Sequence, residues 1–63
     1  MEKYSGTSDL LTVSELATYL RVHPTTIYRL SKLSKLPGFR VGSEWRFNRD
    51  AIDDWIRRKQ QQN

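Results

Sequence analysis

The chain has 63 residues, no cysteine, one histidine and a formal net charge of +4, which leaves room for one small domain and none for a disulfide framework or a thiolate metal site. A lone histidine with no second imidazole makes no metal centre, and so short a chain encloses little pocket for a small-molecule substrate or cofactor. The charge is uneven: residues 1–20 set Lys3 against Glu2, Asp9 and Glu15 (net −2), residues 21–46 set six cations against Glu44 (net +5), and residues 47–63 carry net +1.

Met1–Gly6 has no apolar run of the kind that opens a signal peptide, and no stretch approaches the roughly 20 apolar residues of a membrane span. A cytoplasmic location without a membrane partner is the expectation. Residues 1–9, with Ser5-Gly6-Thr7-Ser8, are polar and predict a disordered lead-in. Leu10 and Leu11 then pack at the entrance to a first helix. Thr12-Val13-Ser14-Glu15 fits a capping box, in which hydroxyl and carboxylate satisfy each other's backbone N–H groups. Val13, Leu16, Ala17 and Leu20 follow at i, i+3, i+4, i+7, a spacing that gathers them on one core-facing stripe.

Arg21-Val22-His23 interrupts the pattern and Pro24 restarts it, at the helix position where a missing N–H costs least. His23 is placed to cap this second helix, which the pattern carries to about Ser34. At about 100° per residue, Ile27 and Leu30 point inward, with Ser31 and Ser34 flanking them. Thr25, Tyr28, Arg29 and Lys32 share an arc of about 100° on the other side. Two helices joined by three residues fit a helix-turn-helix.

Leu36-Pro37-Gly38 ends the helical region, because proline disfavours helix at the residue before it. Phe39, Val41, Trp45 and Phe47 alternate with Arg40 and Arg46 around the turn Gly42-Ser43-Glu44. That alternation predicts a two-stranded hairpin with its aromatic side inward and its arginine side outward. A hairpin alone is unstable, so it must lie on the helices. Asn48 caps a third helix, Asp50 suits its first turn, and Ile52, Trp55 and Ile56 form its apolar face. The predicted architecture is mainly α with a small β-hairpin: a lead-in over 1–9, a winged helix-turn-helix over 10–58 and a frayed tail over 59–63.

The central basic block carries the candidate binding residues, since clustered positive charge on a small domain is the footprint of a polyanion binder. Arg29 and Lys32 are placed for base or phosphate contact, with Thr25 beside them. Tyr28 is open to two readings, DNA contact or packing against the wing. Arg21 in the turn and Arg40 and Arg46 on the strands are candidate phosphate contacts. Trp45 and Trp55 read as core aromatics. Asp53 and Asp54, about 100° apart on a helix, form no paired-carboxylate site and read as surface charge. No nucleophile triad or Gly-rich phosphate loop is present, so the chain reads as no enzyme.

The segments Leu11-Thr12-Val13-Ser14-Glu15-Leu16-Ala17, Leu20-Arg21-Val22, Thr26-Ile27-Tyr28-Arg29-Leu30, Leu36-Pro37, Arg40-Val41-Gly42, Trp45-Arg46 and Ala51-Ile52-Asp53-Asp54-Trp55, in this order, resemble the excisionase-type winged helix-turn-helix family, small relatives of the DNA-binding domain of MerR-type regulators. The resemblance spans about 45 residues. It implies a bacterial, phage or plasmid protein whose second helix enters the major groove of double-stranded DNA with the wing beside it. It also implies service as a recombination directionality factor, with an integrase or further copies of itself as partners, or as a transcriptional regulator. The chain departs from the family pattern where glycine is common, at Arg21 and Ser34, at His23 in place of a serine cap, and at Ser43-Glu44 in a wing turn that is often basic. Arg40 and Arg46 are then the expected wing contacts, and Ser34 implies a longer or differently shaped helix end. Two other classes compete: a helix-turn-helix module that binds an acidic protein surface, and a single-strand binder, which would need exposed aromatics on a strand face.

Overall fold

Thr12 starts the first helix as its sequence implies. In the computed structural model, which describes residues 10–61, its hydroxyl accepts from the Glu15 N–H at 3.1 Å, and the Glu15 carboxylate accepts from the Thr12 N–H at 2.9 Å. Helix α1 (Val13–Leu20) buries Val13, Leu16 and Ala17. It closes at Arg21, which stands in the left-handed region at φ 60° and ψ 46°. There the Val22 N–H donates to the Ala17 carbonyl at 2.9 Å and the Arg21 N–H to the Thr18 carbonyl at 3.2 Å. This pair of bonds is a Schellman closure, made with an arginine where glycine would carry no Cβ strain.

His23 caps the second helix: its Nδ1 accepts from the Thr25 N–H at 3.1 Å, and Pro24 follows in the first turn. Helix α2 (Pro24–Lys32) buries Ile27 and Ser31. It stops short of Ser34, which adopts φ 57°. The Lys35 N–H donates to the Leu30 carbonyl at 2.9 Å and the Ser34 N–H to the Ser31 carbonyl at 3.0 Å. Serine therefore takes the left-handed place itself, and the helix end keeps the glycine-type closure rather than lengthening.

The β structure differs from its prediction in two ways. Strands β1 (Leu10–Leu11), β2 (Phe39–Val41) and β3 (Glu44–Asn48) form an antiparallel sheet in the order β1-β3-β2. Leu10 and Leu11 are thus a third strand, opposite Asn48 and Phe47, and the wing rests on a central strand paired on both sides. In the hairpin, Phe39 faces Arg46, Arg40 faces Trp45 and Val41 faces Glu44. Only Gly42 and Ser43 remain in the turn, with Gly42 at φ 64° and Ser43 at negative φ, the φ pattern of a type II′ hairpin.

Directly opposed residues share a face of the sheet, so this register corrects the expected alternation. Phe39 and Val41 lie outward, 46% and 54% exposed, on the face that carries Arg46 and Glu44. Arg40 lies on the same face as Trp45 and Phe47, with its guanidinium carbon 5.3 Å from the Trp45 ring centroid.

Helix α3 (Arg49–Gln61) begins where the Asn48 side chain accepts from the Ala51 N–H at 3.1 Å. It extends past residue 58 and includes residues 59–61; the lead-in expected over residues 1–9 and the last two residues lie outside the described residues. The core consists of Leu11, Val13, Leu16, Ala17, Ile27, Leu36, Phe47 and Ile52, with Leu20, Leu30, Trp45, Trp55 and Ile56 packed against it. Tyr19 of α1 donates its hydroxyl to the Asp53 carboxylate of α3, and Arg49 sits over the Tyr19 ring at 5.5 Å. No helix among the described residues is long and apolar enough to cross a membrane. A helix pair, a β wing and a closing helix make a winged helix-turn-helix.

Candidate nucleic-acid interface

Helix α2 presents two faces of opposite character. Ile27 is fully buried and Ser31 is 3% exposed, whereas Thr25, Tyr28, Arg29 and Lys32 are all exposed. The arc expected from helical spacing is therefore assembled on the solvent side, with its cations in the last turn of the helix, where the negative end of the helix dipole favours them. No acidic residue of the described chain pairs with Arg29 or Lys32.

Arg21 lies on the turn between the helices and is exposed. Its left-handed backbone is what lets the chain reverse within three residues before Pro24 restarts a helix. Of the residues singled out in the sequence, Arg21, Thr25, Tyr28, Arg29 and Lys32 therefore stand on the helix-turn-helix itself.

The wing arginines are differently situated. Arg46 donates from Nη1 to the Trp45 carbonyl at 2.9 Å and pairs through Nη2 with the Glu44 carboxylate at 3.1 Å. Arg40 is exposed but stacked on Trp45; Trp45 in turn stacks on Phe47 with centroids 6.4 Å apart and planes 17° apart. A groove runs between the start of α1 and the wing, lined by Thr12, Val13 and Ser14 on one side and Ser43, Glu44, Trp45 and Arg46 on the other, with Tyr28 of α2 at its edge. Tyr28 is 48% exposed and lines the groove shared with the hairpin.

The remaining cations are compensated within the chain. Arg57 and Arg58 pair with Asp54, and Lys59 sits over the Trp55 ring at 5.7 Å. The hydrogen bond from Arg58, and then its charge, hold the Asp54 carboxyl below the usual carboxylate range. Arg49 stacks on Tyr19. Among the described residues, Arg21, Arg29, Lys32 and Lys35 are the cations left without an ion pair or ring partner, and all four fall between residues 21 and 35. Uncompensated charge is thus concentrated on the helix-turn-helix far more sharply than in the sequence, where the basic block extends to Arg46.

Sequence reasoning missed two features near this surface. Ser31 is buried and its hydroxyl has no partner among the described residues; its flanking position beside Ile27 and Leu30 was the available signal. The Tyr19–Asp53 bond joins residues 34 apart in sequence, and no local pattern encodes it. No group of three His, Cys, Asp or Glu among the described residues is arranged to hold a metal ion.

Comparison with known proteins agrees with this geometry. The helix-turn-helix domain family matches residues 10–60. Two Mycobacterium tuberculosis proteins, one from strain CDC 1551 / Oshkosh and one from strain ATCC 25618 / H37Rv, are each 38% identical over 56 residues, covering 89% of this chain and 72% of theirs; both are named as candidate DNA-binding proteins. No solved structure gives a significant match. With the family match spanning nearly all of the described residues, the chain belongs to the helix-turn-helix domain family.

Proposed function

We propose that the chain is a sequence-specific binder of double-stranded DNA that inserts α2 into the major groove and lays the wing along the adjacent minor groove or its phosphates. The observation that carries this reading is the exposed face of α2, where Thr25, Tyr28, Arg29 and Lys32 stand opposite a buried face and the cations have no ion-pair partner among the described residues. Phosphate contacts supply affinity and base-edge contacts supply preference. Arg29 and Lys32 serve the first role at least, Thr25 and Tyr28 lie nearest base edges, and Arg21 meets the backbone beside the turn. Arg40 reaches phosphate from the wing without leaving Trp45, while Arg46 must first part from Glu44.

A single module of this size covers only about 600–1,000 Å² of its surface on DNA, so useful affinity calls for neighbouring copies or a partner such as an integrase. The excisionase resemblance supports a recombination directionality factor, and a small transcriptional regulator uses the same contacts. Selecting the bound sites from genomic DNA separates the two, according to whether they fall at attachment sites or promoters.

Fluorescence anisotropy on random duplex DNA across several salt concentrations tests the core of the proposal. Arg21, Arg29, Lys32, Lys35 and Arg40, each neutralising one phosphate, give a log–log salt slope of about −4.5, and Arg29→Ala/Lys32→Ala should flatten it by about 1.8. Binding that is absent at low salt, or a double variant with the wild-type slope, removes α2 as the DNA face and favours the protein-interaction alternative. Phe39, exposed on its strand, makes a single-stranded competitor a necessary control; duplex should outcompete it.

A further inference from the structure

The wing carries an arginine whose two terminal nitrogens each already make one contact within the chain. Arg46 Nη1 is bound to the Trp45 carbonyl and Nη2 to the Glu44 carboxylate, and its side chain is 29% exposed against 69% for Glu44. Glu44 is the sole acidic residue between positions 21 and 46. It opens β3 immediately after the turn, on the same sheet face as Arg46, and both line the groove between the wing and the start of α1, which Tyr28 of α2 also borders. A DNA phosphate entering that groove meets a carboxylate that already holds the cation it would seek.

We infer that Glu44 is a built-in anionic competitor for the Arg46 guanidinium, suppressing sequence-independent phosphate binding by the wing and leaving the α2 face to set where the protein sits. This inference rests on the DNA-binding reading. Sequence-independent binding derives almost wholly from phosphate neutralisation, so silencing one wing cation subtracts from it while leaving every base contact of α2 in place. Glu44 acts through Arg46 and is a positioning residue in this sense.

The test is anisotropy on random duplex with wild type, Glu44→Gln, Arg46→Ala, the double variant and Asp50→Asn, each checked for its far-ultraviolet circular dichroism. Glu44→Gln should steepen the salt slope by about 0.9, and one further released counterion tightens binding about eightfold at 0.1 M salt. Arg46→Ala alone should leave the slope near wild type, and the double variant should match it. Asp50→Asn makes the same change in net charge at an exposed position on the first turn of α3 and should do nothing to the slope. An unchanged slope in Glu44→Gln overturns the inference. So does an equal gain in Asp50→Asn, which would mean bulk charge, or a loss of about 0.9 in Arg46→Ala, which would mean Arg46 already holds phosphate. If wild type binds no duplex at low salt, the DNA reading itself fails and this inference goes with it; if wild type binds and only the Glu44 arms fail, the DNA reading stands.

Discussion

Replacing Arg21 by glycine should make the protein more stable and a poorer DNA binder at once. At φ 60° and ψ 46°, Arg21 holds its Cβ against the following carbonyl, which costs an L-residue about 1–2 kcal/mol. Glycine removes that strain but widens the unfolded ensemble, at about 0.5–1 kcal/mol. The exposed Arg21 side chain has no ion-pair or ring partner among the described residues, so little else offsets the gain. The net is about 0.5–1 kcal/mol of added stability, which in a domain this small raises Tm by about 2–8 °C. Loss of one phosphate contact should flatten the DNA salt slope by about 0.9. Thermal melting followed by circular dichroism reads the first effect and anisotropy the second. Arg21→Ala separates them, since it loses the same charge and keeps the strained backbone, so its Tm should not rise. A fall in Tm for Arg21→Gly, or an equal rise for Arg21→Ala, would refute the reasoning.

Three further substitutions probe the packing. Ser31→Ala deletes a buried hydroxyl that has no partner among the described residues; relief of that desolvation and better helix propensity should add about 1–2 kcal/mol in urea unfolding, and a loss would mean the hydroxyl is bonded after all. Gly38→Ala should cost about 1–3 kcal/mol, because its Cβ would stand 2.5 Å from Cε2 of the fully buried Phe47 ring; a neutral result would show that the ring can yield. Tyr19 has its pKa raised, first by donating its hydrogen bond to Asp53, then by burial and the Asp53 charge, with Arg49 opposing. Its protonated form is thus favoured in the folded state, a contribution complete below the ordinary tyrosine value near 10 and lost as pH rises through the folded value. Tyr19→Phe should flatten that alkaline limb of a melting-temperature profile; an unaltered limb would remove the Tyr19–Asp53 bond as its source.

The helices were legible because their signals are local. Thr12 and Glu15 name each other as a box, His23 and Pro24 mark a start, and the buried and exposed sides of α2 follow from its turn-by-turn spacing. The same spacing collected Thr25, Tyr28, Arg29 and Lys32 on one face. What escaped were features set across the chain. Leu10 and Leu11 form only a two-residue strand, too short for any alternation to announce it. The hairpin was misread because Phe39, Val41, Trp45 and Phe47 share one parity, and they share one face only around an odd-numbered turn. Gly42 at positive φ favours two residues instead, and a register shift of one reverses every side chain. For the same reason the stacking of Arg40 on Trp45 could not be read from the sequence, whereas Glu44 and Arg46, two apart on one strand, share a face in any register and went unpaired only because Glu44 was assigned to the turn. Charge counting placed six cations in the central block, whereas only the folded chain reveals which of them are spoken for.

The two-residue turn of the wing makes loop length itself a heritable setting of surface chemistry. With one amino acid inserted after Ser43 and a two-residue turn retained, Gly42 would join β2 opposite Glu44, and β2 would pair in the other parity without altering a single strand residue. Phe39 and Val41 would rotate toward the protein and Arg40 away from Trp45, exchanging an apolar outer surface for a cationic one. A three-base insertion would thus do the work of several simultaneous point mutations. Among related chains, turn length is accordingly the first thing to compare when two wings differ in how strongly they hold phosphate.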